Sequence, residues 1–318
     1  MKSATRQHLR ANLLMLAAAM IWGSAFVAQR LSLDVIGPFL FTGVRFLLGA
    51  MVVAALAAGR RRLAQRGVGR TGDAPPVASL MPDAALLRAG ALLGLLLAVA
   101  ISLQQIGLRD TKIANAGFIS SLYVVIVPLA GVLFRHRTGP GTWLGAALAA
   151  LGLYLLSINE RLTVMPGDWY QLAGALVISA QVMLVGRYAR RHDPLTLALV
   201  QFVACGLACS AVAVAVEPIR LADIVRAAPT ILYGGALSVG IGYTIQVVAQ
   251  RDAAPAHAAV IFSLEGMFAA FAGWLVLGET LTPRALAGCA LMLAGLIACQ
   301  WRPALAQHQK VVEPAETV

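Results

Sequence analysis

Charged residues are scarce in this sequence. They make up 12% of its 318 residues, whereas soluble domains carry roughly 25%. No polar stretch is long enough to form a separate soluble domain, so a soluble protein is excluded. The net charge of +11 does not indicate nucleic-acid binding, because the basic residues lie in short connections between apolar runs. They form no basic face interleaved with aromatic side chains.

The sequence also lacks the clustered side chains that metal sites and catalytic centres require. Its four cysteines lie inside apolar runs without metal-ligand spacing, which predicts small core residues. No two carboxylates lie near each other within one apolar run, and there is no His-Glu-x-x-His motif. We therefore expect no metal and no cofactor, and a membrane enzyme is the least favoured function.

Apolar runs dominate what remains. A helix of about 20 apolar residues crosses the ~30 Å hydrocarbon core of a bilayer. The sequence predicts ten such spans, at 11–29, 36–58, 86–107, 113–134, 141–158, 169–186, 196–216, 228–249, 256–277 and 284–301. The chain is accordingly predicted to be an all-α integral membrane protein with ten transmembrane helices.

Lysine and arginine are distributed unevenly between the predicted loops. With the N-terminus in the cytoplasm, 17 of them fall on the inner side and seven on the outer side, and Arg45 lies within a span. By the positive-inside rule, this predicts a multi-pass protein of the cell inner membrane with both termini cytoplasmic. Residues 302–318 form a polar cytoplasmic tail. The long basic connection 59–85 is expected to be a flexible loop that anchors this topology, with binding of anionic head groups as the alternative.

The second half of the chain repeats features of the first. An offset of 142 residues aligns Gln104 with Gln246 and Ser121-Leu122 with Ser263-Leu264. An offset of 143 aligns Gly145 and Gly152 with Gly288 and Gly295. Earlier in each half, an offset of 156 aligns Arg45-Phe46 with Gln201-Phe202. The repeats cover 11–158 and 169–301, with five spans each. Because five is odd, the second copy must be inverted in the membrane, which is typical of secondary transporters.

Several motifs, in order along the spans, resemble the EamA-type family of the drug/metabolite transporter superfamily. They are Trp22-Gly23-Ser24-Ala25-Phe26, Pro38 followed by Arg45-Phe46, the run from Phe118 to Pro128, and the run from Ser263 to Glu279. The resemblance covers about residues 10–302. Gly266 departs from the proline usual in the family, and Arg135-His136-Arg137 lacks the expected glutamate. The resemblance implies secondary transport, most often export, of amino acids or other small metabolites.

Glu265 lies near the middle of the ninth span. A charge at that depth costs at least ~2.5–3.5 kcal/mol on insertion scales, so it is expected to face a cavity or a partner. It is a candidate for proton exchange or substrate contact, with a structural hydrogen bond as the alternative. In the repeat it takes the position of Tyr123.

Arg45 lies inside the second span, at a depth similar to that of Glu265. Three roles are open to it. The guanidinium pairs with Glu265, receives a substrate carboxylate in bidentate fashion, or extends towards the outer interface.

Amides and aromatic side chains complete the candidate site. Gln104 and Gln246 are related by the repeat and suit the mouths of a shared cavity, with interhelical hydrogen bonds as the alternative. Trp22 and Tyr123 lie deep enough for an aromatic cavity wall, whereas the shallower Tyr243 and Trp274 favour the membrane interface. The predicted substrate-binding residues are Trp22, Arg45, Gln104, Tyr123, Gln246 and Glu265.

These features predict a secondary transporter. As the resemblance implies, it is expected to export small metabolites such as amino acids, by alternating access around a mid-membrane cavity. Its expected partners are a small-molecule substrate and the lipid bilayer, with no nucleic acid. The alternative is a passive channel or a sensory membrane protein, although pore-lining charge rings and a signalling domain are both missing from the sequence.

Overall fold

The fold is built from helices. The computed structural model describes residues 2–68, 83–111, 113–133, 138–157 and 165–300, and no strand occurs among them. The helices are α1 (Lys2–Ser32), α2 (Pro38–Val68), α3 (Ala84–Gly107), α4 (Ile113–Ser120), α5 (Tyr123–Leu133), α6 (Pro140–Ser157), α7 (Pro166–Tyr188), α8 (Pro194–Val216), α9 (Leu221–Arg226), α10 (Ala228–Leu232), a π-helical segment (Tyr233–Tyr243), α11 (Thr244–Gln250), α12 (Pro255–Phe262), α13 (Glu265–Leu277) and α14 (Pro283–Gln300).

These elements form the expected membrane spans. Within the described residues, nine helical stretches are long and apolar enough to cross a bilayer, and a shorter apolar helix, Pro140–Leu156, lies at the predicted fifth span. The prediction of an all-α membrane fold is therefore confirmed. Proline opens many of these helices because it presets the backbone angle of a first turn, whose N–H groups lack helical partners.

Three spans are not continuous α-helices. The fourth consists of α4 and α5, the ninth of α12 and α13, and the eighth passes through α10, the π-helical segment and α11. In each repeat the fourth of the five spans is broken, whereas the third span is a regular helix in the first half only. Backbone irregularity at membrane depth is tolerated where it is buried in protein or lines a cavity.

Helix α2 is longer than predicted. It continues past the apolar run to Val68, so the prediction of a flexible loop is wrong for residues 59–68. Arginine, leucine, alanine and glutamine follow Gly59 and are all good helix formers, so the helix continues after the hydrophobic signal stops. Arg60 on this extension forms an ion pair of 2.8 Å with Asp193 at the start of α8. Residues 69–82 of the predicted loop lie outside the described residues, as do 302–318, and the last two residues of the predicted loop already belong to α3.

The two halves pack against each other through equivalent helices. Helix α2 packs along α8, and α6 packs along α14. The broken spans exchange partners: α4 packs on α13 and α5 on α12. Every one of these contacts joins an element of the first half to an element of the second.

Glycine allows a close approach between α6 and α14. A Cβ atom at Gly152 would lie 2.5 Å from the carbonyl oxygen of Gly288, and one at Gly288 would lie 2.5 Å from that of Gly152. Gly145 and Gly295 show the same reciprocal relation at 2.7 Å. The four glycines that the repeat aligns thus meet each other in the structure, as small residues do in close membrane helix pairs.

Candidate functional site

The fourth and ninth spans break at the same place in the repeat. Leu122 donates its N–H to Ile119 and Leu264 donates to Ile261, at 3.1 and 3.2 Å, which is three residues back instead of four. The amides two positions later, of Val124 and Gly266, repeat this shortened step. Both spans therefore pass through a tight turn with 3₁₀-type hydrogen bonds at a Ser-Leu pair.

The break in the ninth span forms without proline. Gly266, where the resembled family has proline, lies in the first turn of α13. A Cβ atom there would lie 2.8 Å from Leu153 Cδ2 and 3.3 Å from the carbonyl oxygen of Gly117. Glycine therefore lets α13 approach α4 and α6 closely at this level, while the turn at Ser263-Leu264 provides the bend.

Tyr123 and Glu265 are the first residues after the two breaks, and they bind each other. The Tyr123 hydroxyl donates to Glu265 Oε1 at 2.9 Å. Both side chains are buried, Glu265 being 6% exposed. Because the repeat relates these two positions, the bond joins the halves at equivalent points, with a phenol on one side and a carboxylate on the other.

A small cavity of about 30 Å³ opens beside this bond. It is lined by Trp22, Ala100, Ile101, Gln104, Ser120, Tyr123, Gly174, Ala175, Ile178, Val182, Tyr243, Gln246, Phe262 and Glu265. Glu265 is the one ionisable carboxylate in this lining. A site for one water needs ~10–15 Å³, so the space holds about two waters and is too small for an amino acid. A molecule the size of an amino acid would fit only if the surrounding helices were further apart.

Trp22 forms part of the cavity wall. Its ring packs against those of Tyr243 and Phe262, with centroid distances of 4.7 and 5.1 Å, and its Nε1–H donates to the carbonyl oxygen of Ser238 in the π-helical segment at 3.4 Å. The next residue, Gly23, leaves room for the backbone of α13, because a Cβ atom there would lie 2.6 Å from the carbonyl oxygen of Glu265. Helix α1 is thus seated directly on the ninth-span break.

The repeat-related glutamines Gln104 and Gln246 both line this cavity. Gln104 donates to Ser120 at 3.0 Å, and Gln246 donates to Gln181 at 3.3 Å. Both amides therefore make the interhelical hydrogen bonds that were the alternative interpretation. Gln246 Oε1 is buried without a hydrogen-bond partner among the described residues, so it remains an available acceptor.

Arg45 is separate from the cavity lining. Its guanidinium donates to Gln29 Oε1 at 3.3 Å and lies over the rings of Phe41 and Phe46. The ion pairs found in the described part of the chain are Arg60–Asp193 and Arg226–Asp223, so the considered pair with Glu265 does not form. Equal depth is not sufficient: Arg45 is held by its own helix and α1, while Tyr123 holds Glu265.

A second cavity, of about 80 Å³, lies where α5, α6, α7 and α12 meet. Its lining includes Val127, Thr142, Met183 and His257. His257 Nε2 lies 2.9 Å from Asn12 Oδ1, which ties α12 to α1. None of the six predicted substrate-binding residues borders this space.

Sequence reasoning missed several members of the central cavity. Tyr243 was assigned to the membrane interface but is 8% exposed and lines the cavity. Ser120 binds Gln104, and its place directly before the repeated Ser-Leu pair was the available signal. The face of α7 that contributes Gly174 and Ile178 carries small and aliphatic residues that no pattern separates from ordinary core.

Comparison with known proteins agrees with this architecture. The model of the EamA-like transporter family matches twice, at residues 9–158 and 165–299. An uncharacterized transporter of Archaeoglobus fulgidus is 27% identical over 292 residues, covering 92% of this chain and 86% of its own. A WAT1-related chloroplastic protein of Arabidopsis thaliana is 23% identical over 291 residues, covering 86% of this chain and 66% of its own.

A solved crystal structure has the same fold, with a TM-score of 0.70. It is 18% identical, and the match covers 95% of this chain and 99% of that one. Because the family model accounts for nearly the whole chain in two consecutive matches, the chain belongs to the EamA-like transporter family.

Proposed function

We propose that this transporter is a secondary carrier that exports small metabolites such as amino acids by alternating access around the cavity at the two helix breaks. Trp22, Gln104, Tyr123, Gln246 and Glu265 contact the substrate there. The observation that carries the proposal is the Tyr123–Glu265 hydrogen bond inside the lining of a cavity at the two helix breaks. A carboxylate is retained at such depth where it serves a substrate or ion pathway.

The exchange of packing partners between halves supports the mechanism. The proposed units, 11–158 and 169–301, are inverted copies, with 302–318 as a cytoplasmic tail. Helices α4 and α5 pack on α13 and α12 respectively, so rocking one half against the other moves both breaks together. The cavity of about 30 Å³ then corresponds to a state closed on both sides, and opening either side enlarges it.

The proposed orientation follows from the basic residues. Both termini and the extension of α2 that carries Arg60 face the cytoplasm, and the protein lies in the cell inner membrane. In this orientation the cavity beside His257 lies on the cytoplasmic side of the central cavity, and the Gln29–Arg45 contact lies on the outer side.

Transport by the purified full-length protein in liposomes tests the proposal. Uptake and efflux are measured for a panel of labelled amino acids and related metabolites, with and without a pH gradient. We expect a flux that saturates with substrate concentration and follows the gradient. Flux that rises linearly with concentration, or ion current without substrate, would establish a channel instead. A complete lack of flux across the panel would contradict this choice of substrate class.

A further inference from the structure

A buried guanidinium without a carboxylate partner lies outside the central cavity. Arg45 is 1% exposed, and its one hydrogen bond is the donation to Gln29 Oε1 at 3.3 Å. Its Nε–H is buried with no acceptor among the described residues. Since a guanidinium carries five N–H donors, most of its hydrogen-bonding capacity is unused in this conformation.

The protein groups around Arg45 compensate its charge only in part. The rings of Phe41 and Phe46 lie 5.0 and 5.5 Å from its central carbon and attract the cation. No carboxylate of the described chain lies within ion-pair distance of it. A buried charge is normally paired, and a planar guanidinium is best satisfied by the two oxygens of a carboxylate or a similar oxyanion.

Amides beside Arg45 extend the same polar patch. Gln105 donates to the carbonyl oxygen of Gln29 at 3.1 Å and to Ser32 Oγ at 3.2 Å. Gln29, Ser32, Gln105 and Arg45 are all buried, and they come from α1, α3 and α2. Three helices therefore converge on this patch, and separating them exposes the guanidinium.

The patch lies beside the substrate pathway. Phe46, over which Arg45 lies, packs against Tyr243 with a centroid distance of 5.7 Å, and Tyr243 packs against Trp22 at 4.7 Å. Both Tyr243 and Trp22 line the central cavity. In the proposed orientation, a metabolite that leaves the cavity outwards between α1, α2 and the π-helical segment meets Arg45 next.

The repeat provides a natural contrast. Gln201 occupies the position of Arg45 in the second half and is also completely buried. The packing at the two positions is alike: a Cβ atom at Gly235 would lie 2.9 Å from the carbonyl oxygen of Arg45, and one at Gly94 would lie 2.4 Å from that of Gln201. The charge is therefore a property of one half only, and close packing does not require it.

We propose that Arg45, with Gln29 and Gln105, forms an anion-binding site on the outer side of the pathway that receives the carboxylate group of the exported metabolite. The inference rests on the proposed function and narrows its substrate class to metabolites that carry a carboxylate or an equivalent oxyanion. Arg45 contributes the positive charge and the paired N–H donors, and the amides of Gln29 and Gln105 position the guanidinium.

Binding is tested first, independently of transport. The melting temperature of the purified full-length protein is measured in sodium acetate, in sodium phosphate and in neutral acetamide, for wild type, Arg45→Gln, Arg45→Met and the matched control Gln201→Leu. We expect the anions to raise the melting temperature of wild type and Gln201→Leu above that in acetamide, because a ligand stabilises the state that binds it. Both Arg45 variants lose this response. Equal responses in all four proteins, or none in wild type, would overturn the anion site.

Arg45→Met also separates the proposal from a purely structural role. Replacing a buried charge by an apolar side chain of similar volume is often neutral or stabilising. The variant is therefore expected to fold with at least wild-type stability in the absence of anion. If it unfolds while Arg45→Lys remains stable and insensitive to acetate, Arg45 is structural and the proposal fails.

Flux then identifies the source of the anion. In liposomes, each amino acid of the panel is compared with the amine that lacks its carboxylate. We expect Arg45→Gln to raise the KM of the amino acid by about tenfold or more, the change that accompanies loss of a hydrogen bond to a charged group, and to leave the amine unaffected. Amine flux that requires added acetate or phosphate would assign the site to a free anion. Equal, anion-independent flux of both compounds would overturn the proposal. If wild type carries nothing, the proposed function fails and the melting experiment alone decides the anion site.

Discussion

The two halves of this transporter share a backbone plan but differ in the side chains at equivalent positions. Both fourth spans turn at a Ser-Leu pair with the same shortened hydrogen bonds. After the turn, the first half places Tyr123 and the second half places Glu265, and the two residues bind each other. The repeat thus brings two different side chains, a phenol and a carboxylate, to one point. If both halves carried a glutamate at this position, the two buried carboxylates would repel each other.

The same contrast recurs at the second spans. Helix α8 is capped by its own Asp193, which accepts from Thr196 N–H at 3.0 Å. Helix α2 has Gly37 at the equivalent position and is capped by Glu217 from the other half, which accepts from the N–H groups of Phe39 and Leu40 at 2.9 and 2.8 Å. One helix start is stabilised locally, and the other depends on contact between the halves.

The largest expected effect comes from removing the charged member of the central pair. Glu265→Gln retains the size of the side chain and a carbonyl oxygen that can still accept from Tyr123, but it loses the negative charge and the titratable group. We expect flux driven by a pH gradient to fall by at least about tenfold, because a hydrogen bond to a charged group becomes one to a neutral group. Tyr123→Phe removes the hydrogen bond itself and is expected to reduce flux less, because the carboxylate remains. Flux in proteoliposomes measures both.

Expression level and melting temperature serve as controls for these two variants. Wild-type flux in Glu265→Gln would show that the carboxylate is structural. Equal losses in the two variants would show that the charge of the carboxylate matters no more than its hydrogen bond with Tyr123.

A second prediction concerns the symmetric contact between α6 and α14. Gly152→Ala places a methyl group 2.5 Å from the Gly288 carbonyl oxygen, and a backbone carbonyl can yield only if the helices separate. We expect a loss of about 1–3 kcal/mol, as for overpacked interiors. Thermal unfolding in detergent measures it, and Gly288→Ala should match because the contact is reciprocal.

Gly59→Ala in α2 is the control for the glycine substitutions. A Cβ atom there meets nothing within 4 Å, so its melting temperature is expected to stay the same or rise, because alanine favours helix. Equal destabilisation at Gly59 and Gly152 would contradict the packing argument.

The cap that crosses between the halves is expected to have an intermediate effect. Glu217→Ala leaves the first N–H groups of α2 without acceptors and removes a negative charge from a helix N-terminus, which costs about 0.5–2 kcal/mol. Amide hydrogen exchange should accelerate at Phe39 and Leu40 and remain unchanged at the start of α8. Unchanged exchange in α2 would show that the cap contributes nothing.

The sequence predicted the membrane spans and the repeat better than it predicted the contacts within the candidate site. The apolar runs predicted ten spans, and the 142-residue offset pointed to the Ser-Leu pairs at which two of them break. The offset also placed Tyr123 and Glu265 at equivalent positions. It did not predict their contact, because a repeat relates positions without showing which of them lie on the symmetry axis.

Most of the remaining differences between prediction and structure concern the side of the helix on which a residue lies. The estimated depths made an Arg45–Glu265 pair reasonable, but depth does not determine which helix face meets which neighbour. Tyr243 was misplaced for the same reason. The end of α2 was missed because an apolar run identifies only the apolar part of a helix, and α2 continues beyond it. Nothing in the sequence indicated the π-helical segment apart from its clustered glycines.

The smallest expected effect lies at the local cap of α8. Burial raises the carboxyl pKa of Asp193, but the hydrogen bonds from Arg60 and Thr196 outweigh it, so the pKa lies below its ordinary value. A lowered folded-state pKa stabilises the protein above the unfolded-state pKa, ~3.9, and this stabilisation is lost as pH falls through the folded-state value. Because the Arg60–Asp193 pair is partly exposed, its contribution is about 0.2–1 kcal/mol.

Asp193→Asn should therefore lower the melting temperature slightly near neutral pH, with the deficit shrinking as the pH falls through the lowered folded-state pKa, because the wild-type carboxylate is then protonated as well. Glu217→Ala measured alongside shows whether the cap between the halves outweighs the local one. A deficit for Asp193→Asn that exceeds that of Glu217→Ala would reverse the comparison. Helix α8 would then depend more on its own cap, and on the Arg60 contact with α2, than α2 depends on the second half.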